Sequence, residues 1–522
     1  MRTTLCISFK AQCIAVGLPD LYQSLDPVDD AAYNRCGHVA KCLPGTREQL
    51  IAKIVRWIDK SGGHPICWLN GPAGSGKSAV SKSISAWCDV RNRLAASFFF
   101  LRGAGNRSSI TRFIPTLAYQ LSISIPATKP LIQQVLRNEP TIARLPLSHQ
   151  FEELLVKPIL AVKTPFLNVL TPRKPMVMVI DALDECNDKD MMAEFIEVVT
   201  SACQENRGLP FRVFFTSRVE EHVRKKLDTS QARSAIYTLA LPDFDARNDI
   251  RTFFQSRFST IYEENRRLMQ SHGIPLPWPS KPDLEALVDK ASGSFIFAFT
   301  LVNFVNDGSD LPQLKLPIAL RAHVGLDPLY AEVLTMGGHH HYCKRIISTI
   351  MLLTSPLSIT ALAHLLELDT ADILQALFGI QSILMIPGND SAPIQLFHTS
   401  LRDFLTTQSR SGNLFVDPPT RHIFIAADCL KAMTVPWLDA IFEDEAQQYA
   451  CRNWCYHFLQ ALTEGANILL LSNGSLTDCL MDFMTWSFDS WFNTLVWCGE
   501  WRNILDTLHS ILLQLEVSLV FY

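Results

Sequence analysis

Residues 71–78 read Gly-Pro-Ala-Gly-Ser-Gly-Lys-Ser and fulfil the pattern G-x-x-x-x-G-K-[ST]. Glycines in this pattern let the backbone curl so that its N–H groups point at a phosphate. The lysine then reaches the β- and γ-phosphates, and the final hydroxyl binds Mg²⁺. The predicted phosphate-binding residues are Gly71, Pro72, Ala73, Gly74, Ser75, Gly76, Lys77 and Ser78. Because such a loop contacts only phosphates, the motif leaves both ATP and GTP open as ligands.

An acidic segment follows a nonpolar run later in the chain. Residues 176–180 are all apolar, and Asp181-Ala182-Leu183-Asp184-Glu185 comes directly after them. Such a run is typical of a parallel strand that is buried on both faces. Asp181 is predicted to bind Mg²⁺, directly or through water, and Asp184 or Glu185 to orient or deprotonate an attacking water. The alternative, that these acids only begin the next helix, is disfavoured by the phosphate-binding loop.

A third strand-like segment ends in small polar residues and an arginine. It spans residues 211–218 and closes with Thr216-Ser217-Arg218. An arginine at the end of a strand beside the site could sense the γ-phosphate and stabilise charge during its transfer. The alternative is an ordinary surface arginine at a strand end, because position rather than motif favours the role of Arg218.

These motifs require a parallel sheet that brings the carboxyl ends of their strands together. Strand-like residues 65–70 precede the phosphate-binding loop and helix-like residues 79–87 follow it, which is the context the motif needs. Further strands are predicted at 95–101 and 236–241, with helical stretches between them. The sequence therefore predicts an α/β nucleoside triphosphatase fold, with a five-stranded parallel sheet and helices on both faces.

The periodicity becomes helical after about residue 242. A proline-rich break occurs at 274–279, and two short strand-like segments, 383–387 and 394–398, follow a helical stretch. Two strands joined by a turn after helices are typical of a winged-helix module. The predicted units are a short N-terminal segment at 1–41, a nucleotide-binding domain at 42–242, a small helical domain at 243–325, a winged-helix-like domain at 326–416 and a C-terminal helical domain at 417–522.

Charge and composition narrow the class of protein. The 522 residues include 47 Lys and Arg against 51 Asp and Glu, without a dense basic run, so nothing indicates a nucleic-acid binder. No run reaches the roughly 18 apolar residues of a membrane span. The 14 cysteines lack a disulfide framework, which favours a reducing, cytoplasmic compartment. Clusters of Cys and His near 36–42, 339–343 and 451–457 lack the paired spacing of a structural zinc site.

The motifs in their order resemble the NACHT ATPases of the STAND class, in particular fungal NOD-like receptors of the nephrocystin-3-like type. The resemblance runs from about residue 42 to about residue 462. It rests in chain order on Cys-Leu-Pro-Gly-Thr-Arg at 42–47, the loop at 71–78, Phe-Phe-Phe at 98–100, Thr-Leu-Ala-Tyr-Gln-Leu at 116–121, Asp-Ala-Leu-Asp-Glu-Cys at 181–186, Thr-Ser-Arg at 216–218, Phe-His-Thr-Ser-Leu-Arg-Asp-Phe-Leu at 397–405 and Tyr-Ala-Cys-Arg-Asn-Trp at 449–454.

The resemblance implies a regulated switch more than a metabolic enzyme. In such proteins ADP holds a closed monomer, and exchange for ATP opens it into a self-associated signalling oligomer. It implies binding of ATP or ADP with Mg²⁺, slow hydrolysis, and a signalling role of the innate-immunity or heterokaryon-incompatibility kind. His398 would contact the β-phosphate of ADP, the alternative being an ordinary interior histidine. Residues 293–295 would lie beside the base.

Three features depart from the family pattern. Only about forty residues precede the motif at 42–47, and no repeat array follows, so the C-terminal domain is expected to be truncated. Residues 161–174 are expected to be an inserted loop. Two alternatives to a hydrolysing switch stay open. One is a scaffold that binds nucleotide without turnover, and the other is an AAA-type remodelling ATPase.

Overall fold

The computed structural model describes residues 20–35, 40–60, 63–162, 175–205, 211–308, 310–321, 325–338, 340–433, 444–462, 474–498 and 501–520. The expected inserted loop lies outside the described residues from 163 onward, and so do Cys36, His38 and His339 of the Cys/His clusters. Within the described ranges, no helix combines the length and apolar character needed to cross a bilayer.

Five parallel strands form the central sheet, as predicted. They are β1 (Ile66–Asn70), β2 (Leu94–Phe99), β3 (Met176–Asp181), β4 (Phe211–Ser217) and β5 (Ile236–Ala240). Their order across the sheet is β2-β3-β4-β1-β5. Strands β1 and β3 both pair with β4. The carboxyl ends of all three motif-bearing strands therefore meet at one edge of the sheet.

Side chains of β1 alternate between two nonpolar layers. Ile66 and Trp68 pack into the layer on one face of the sheet, together with Phe113 and Phe195. Cys67 and Leu69 pack into the layer on the other face with the helix that follows the phosphate-binding loop. All five residues of β1 are buried, as expected for a strand that helices cover on both faces.

Ten α-helices are described before residue 242. They are α1 (Leu21–Leu25), α2 (Glu48–Asp59), α3 (Lys77–Asp89), α4 (Phe113–Ser124), α5 (Lys129–Asn138), α6 (Leu147–Phe151), α7 (Lys157–Val162), α8 (Lys189–Glu205), α9 (Glu221–Leu227) and α10 (Ser230–Ala235). A π-helical turn, Glu152–Val156, joins α6 to α7. Helices α4 to α7 lie between β2 and β3, which explains the wide sequence gap between Lys77 and Asp181.

In the described residues after the sheet, the regular elements are helices and one short hairpin. Its helices are α11 (Arg247–Glu264), α12 (Arg266–Ser271), α13 (Lys281–Ala291), α14 (Phe295–Val305), α15 (Pro312–Arg321), α16 (Leu326–Gly337), α17 (Cys343–Leu352), α18 (Ile359–Leu366), α19 (Thr370–Phe378), α20 (Ser400–Leu405), α21 (Gln408–Ser411), α22 (Pro418–Ala432), α23 (Glu445–Ala461), α24 (Gly474–Trp486), α25 (Phe488–Cys498) and α26 (Trp501–Val520). Strands β6 (Leu384–Met385) and β7 (Gln395–Leu396) form the antiparallel hairpin. We call residues 359–405, from α18 through the hairpin to α20, the winged-helix-like module.

Nonpolar side chains after the sheet form one continuous core from Ala246 to Ile511. Trp491 is fully buried in it, and its indole N–H donates to the Cys451 carbonyl at 2.9 Å. His457 is also buried and lies within 2.7 Å of the Tyr449 hydroxyl. The helical units predicted beyond residue 243 thus pack on one another around shared nonpolar contacts.

Candidate nucleotide-binding site

The phosphate-binding loop joins β1 directly to α3, which begins at Lys77. Gly74 and Gly76 have φ angles of +69° and +93°, a left-handed conformation that glycine adopts without strain. A Cβ at Gly74 would overlap the Ile296 side chain, so close approach also requires glycine there. The Ile296 N–H donates to the Gly74 carbonyl at 3.1 Å. The first turn of α14 therefore closes against the loop.

The Lys77 ammonium is buried inside the loop. Its Nζ donates to the carbonyls of Gly71 and Pro72, each at 2.8 Å. Burial lowers the pKa of Lys77, and the carboxylates of Asp184 and Asp181 oppose that effect. A buried ammonium whose hydrogen-bond acceptors are neutral gains a charged partner when a phosphate enters. The loop is therefore suited to bind a phosphate group, as its sequence pattern predicts.

Asp181 and Ser78 come together at the end of β3, as the predicted metal site requires. Asp181 is 2% exposed, and its Oδ1 accepts hydrogen bonds from the Ser81 hydroxyl at 2.6 Å and the Thr216 hydroxyl at 2.7 Å. Burial raises the pKa of Asp181, and hydroxyls including that of Ser78 partly oppose the rise. A carboxylate beside a serine hydroxyl is an oxygen donor set that suits Mg²⁺.

The turn after β3 places two acids in different surroundings. It begins at Ala182, whose φ is +57°. Asp184 is buried and accepts a hydrogen bond from the Arg218 backbone N–H at 2.8 Å. Glu185 accepts from the Arg102 backbone N–H at 3.2 Å. Burial and the neighbouring Asp184 raise the pKa of Glu185 to about 7, a value suited to proton transfer near neutral pH.

Arg218 connects the sheet to the winged-helix-like module. Its Nε lies 3.2 Å from Asp184 Oδ2. Its Nη1 donates to Asp403 Oδ2 at 3.0 Å, and its Nη2 donates to Thr399 Oγ1 at 3.1 Å. Thr399 in turn donates to Glu185 Oε1 at 3.1 Å. The arginine and one of the acids that the sequence proposes for catalysis are thus both held by residues at the start of α20.

His398 lies at the same edge of the sheet, and its hydrogen bonds define its tautomer. The Ser400 backbone N–H donates to His398 Nδ1 at 3.0 Å. An N–H can only donate, so Nδ1 carries a lone pair and the proton of the neutral ring is assigned to Nε2. Burial, followed by the positive charges of Arg218 and Lys77, lowers the pKa of His398 to about 3. The ring is therefore neutral near pH 7 and has an Nε2–H to donate.

A cleft of about 590 Å³ borders the phosphate-binding loop. Its lining includes Arg47, Pro72, Ala73, Phe244, Val288, Gly293 and Ser294. Arg47 donates to the Ser75 carbonyl at 3.0 Å, and its guanidinium lies 5.0 Å from the centre of the Phe295 ring. The volume is within the range of small-molecule sites. Two segments that the sequence singled out, 42–47 and 293–295, meet at this cleft.

Several residues of the site were not assigned from the sequence. Ser81 binds Asp181, and its spacing of three residues from Ser78 on α3 was a usable signal, because such residues share a helix face. Thr216 offered no comparable pattern. Asp403 contacts Arg218 across 185 residues of chain. No local pattern predicts a contact of that separation.

The part of the chain that forms this site matches a known protein family. Residues 45–218 match the family described as nephrocystin 3, N-terminal. The nephrocystin-3-like part of the resemblance is therefore confirmed over the region that contains the phosphate-binding loop, Asp181 and Arg218. No curated protein matches the sequence significantly.

Three solved structures align with this chain in part. A signal transduction ATPase with numerous domains (STAND) from Pyrococcus horikoshii, which has a tetratricopeptide repeat sensor, aligns with a TM-score of 0.43 and 10% identity over 92% of this chain and 65% of its own. Cdc6p of Pyrobaculum aerophilum aligns with a TM-score of 0.31 and 15% identity over 74% of this chain and 98% of its own. The Orc1 protein of Aeropyrum pernix, solved in complex with DNA, has a TM-score of 0.31 and 13% identity over 73% of this chain and 96% of its own. Likeness at these scores carries no argument about the ligands or partners of this chain.

Proposed function

We propose that the protein is a nucleotide-dependent switch of the STAND type, which binds ATP or ADP with Mg²⁺ and hydrolyses ATP slowly. One observation carries the proposal. Arg218 and Glu185 stand at the phosphate-binding edge of the sheet, yet Thr399 and Asp403 of the winged-helix-like module hold them. A nucleotide that recruits either residue must therefore act on the position of the module.

The residue roles follow from the local chemistry. The loop N–H groups and Lys77 bind phosphate, and Ser78 and Asp181 hold Mg²⁺. When bound, Mg²⁺ supplies positive charge to the phosphate oxygens. Glu185 is the better candidate to take a proton from water, because its pKa is raised to about 7. Asp184 instead accepts a hydrogen bond from the Arg218 backbone N–H and forms an ion pair with the Arg218 guanidinium.

The module and a γ-phosphate compete for the same arginine. Asp403 and Thr399 occupy both terminal nitrogens of Arg218, so an arginine drawn toward a γ-phosphate has to leave them. ADP has no γ-phosphate and leaves this contact intact, while the Nε2–H of His398 is free to donate to the phosphate that remains. A ligand shifts an equilibrium only through its different affinity for the two states. In this proposal ADP favours the closed state, and ATP favours an open state able to self-associate.

The remaining features extend the same proposal. The base and ribose would occupy the cleft of about 590 Å³ beside the loop. The moving parts would be the predicted units at 42–242, 243–325 and 326–416. The absence of a disulfide framework among the 14 cysteines supports a cytoplasmic location. An innate-immunity-like signalling role, such as heterokaryon incompatibility, is supported by the sequence resemblance alone.

The nucleotide that copurifies with the protein provides the first test. We expect mass spectrometry of the released ligand to find one ADP per chain. Lys77→Ala should lose it, whereas Lys82→Ala, a matched change on the same helix, should retain it. Wild-type protein that carries no nucleotide, and that takes up neither ADP nor ATP when these are added, would contradict the proposal.

Turnover separates a switch from its alternatives. Glu185→Gln should retain ATP and hydrolyse it at least tenfold more slowly than wild type, since general acid–base groups typically contribute about 10²–10⁴-fold. Equal turnover in the two proteins would favour a scaffold that holds nucleotide structurally. Rapid turnover by a nucleotide-dependent ring would favour a remodelling ATPase.

A further inference from the structure

A second cavity lies beside α20. It has a volume of about 270 Å³, and residues 101–107, the segment after β2, form one wall. The opposite wall is nonpolar and includes Ile350, Leu353, Leu357, Leu362, Ile394 and Leu396. Its described lining includes no residue of the phosphate-binding loop. The cavity is therefore separate from the nucleotide site.

Arg402 of α20 lines this cavity and lacks a charged partner. Its Nε is buried without a hydrogen-bond partner, and in the described part of the chain no carboxylate forms an ion pair with its guanidinium. The other arginines of the wall are engaged. Arg102 lies 3.6 Å from Asp403, and Arg107 lies 3.7 Å from Asp30, which also lines the cavity. Among the described residues, Arg402 is therefore the cavity arginine that has no carboxylate within ion-pair distance.

The surroundings hold that charge in place. Gly103 has a φ of +73°, and a Cβ built on it would overlap the Arg402 guanidinium. The guanidinium thus rests directly on the backbone of the turn after β2. Burial, followed by the charge of Arg102, lowers the pKa of Arg402. An unpaired cation in such surroundings is costly unless an anion joins it.

We propose that this cavity binds an amphipathic organic monoanion, a carboxylate with an apolar body, whose carboxylate pairs with Arg402. A single negative charge matches the single unengaged guanidinium, and a carboxylate can accept two hydrogen bonds from its fork. The nonpolar wall suits an aliphatic or aromatic body. The volume of about 270 Å³ is close to the lower end of the range for ligand pockets, so the ligand is small.

A ligand in this position would bridge two parts of the molecule. One wall belongs to the segment after β2, and the other belongs to α17 and the winged-helix-like module. Bound carboxylate would therefore stabilise the arrangement in which the module lies against the sheet, because a ligand favours the state that binds it better. The proposed site requires no nucleotide turnover and stands independently of the nucleotide-switch proposal.

Octanoate is the probe for this site. Equilibrium dialysis of the full chain with labelled octanoate should show one saturable site, and the Tm should rise by about 1–3 °C at saturation. Octanol and inorganic phosphate at equal concentration should not reproduce the shift. An equal shift with octanol would overturn the assigned charge, an equal shift with phosphate would overturn the apolar body, and no saturable octanoate site would overturn the proposal entirely.

Three substitutions separate binding from folding. Arg402→Met should abolish the octanoate site while leaving the Tm of the ligand-free protein unchanged or higher, because it removes a partly buried charge that has no ion-pair partner. Arg402→Lys keeps the charge and should retain binding within about tenfold. Arg410→Met is the matched control, because Arg410 binds Asp327 away from the cavity at 2.7 and 2.8 Å, and it should bind octanoate normally. Octanoate bound equally by Arg402→Met and wild type would refute the assignment of Arg402.

Discussion

The contact between Asp403 and Arg218 gives the sharpest test of coupling between nucleotide and module. Asp403→Asn removes the negative charge while preserving the shape of the side chain and one carbonyl oxygen. If this contact holds the closed state, the variant should release ADP faster than wild type and remain folded. The same carboxylate also lies 3.6 Å from Arg102, so the substitution weakens two charge pairs that cross between the sheet and α20.

The size of the effect follows from distance and burial. Arg218 Nη1 and Asp403 Oδ2 are 3.0 Å apart, and the two side chains are 22% and 23% exposed. Unit charges at this separation attract by about 5 kcal/mol at an effective dielectric constant near 20. Desolvation and the hydrogen bond that Asn retains offset much of this, which leaves a net loss of about 1.5–3 kcal/mol. A loss of that size corresponds to a roughly 10- to 100-fold shift toward the open state.

The assay is the release of a fluorescent ADP analogue after a chase with unlabelled ADP. We expect the release rate of Asp403→Asn to exceed that of wild type by at least tenfold. Asp327→Asn is the matched control, because Asp327 pairs with Arg410 away from the sheet, and its release rate should stay near that of wild type. If Asp403→Asn is folded by circular dichroism and releases ADP within twofold of wild type, the module does not govern nucleotide retention and the coupling argument is wrong.

Three further predictions concern the same site. Because the pKa of Glu185 is raised from 4.5 to about 7, the rate of hydrolysis should increase with pH and be half-maximal near pH 7. The protonated acid also stabilises the folded state below pH 4.5, and this contribution should be lost as the pH rises through 7. In Glu185→Gln, the denaturation midpoint should depend less on pH across this range. A pH dependence equal to that of wild type would contradict the raised pKa assigned to Glu185. Gly74→Ala should abolish ADP binding in equilibrium dialysis, because the new methyl group overlaps Ile296 and the φ of residue 74 is +69°. Adding Ile296→Ala to this variant removes the overlap but not the backbone strain, so binding should return only in part. His398→Ala should raise the ADP release rate by about tenfold or more, since a hydrogen bond to a charged group is worth about 1.5–3 kcal/mol, and an unchanged rate would indicate a purely structural histidine.

The sequence alone determined the sheet and the identity of its phosphate-binding motif. Strands buried on both faces appear as largely nonpolar runs. The five predicted strands agree with the observed strands to within two residues at each end. The loop from Gly71 to Ser78 was recognisable because a phosphate-binding turn needs glycines and a lysine at fixed spacing. Asp181 followed because the carboxyl ends of parallel strands share one edge.

Only the tertiary structure decided what surrounds those residues. The choice between Asp184 and Glu185 depends on burial and on Arg218, and no local pattern reports either one. The hold of Asp403 on Arg218 joins elements 185 residues apart in the chain, and the unpaired state of Arg402 depends on every element packed around it. A short motif can be recognised in the sequence because its residues act together within one segment. Coupling between the sheet and the winged-helix-like module depends on contacts that exist only after the chain has folded.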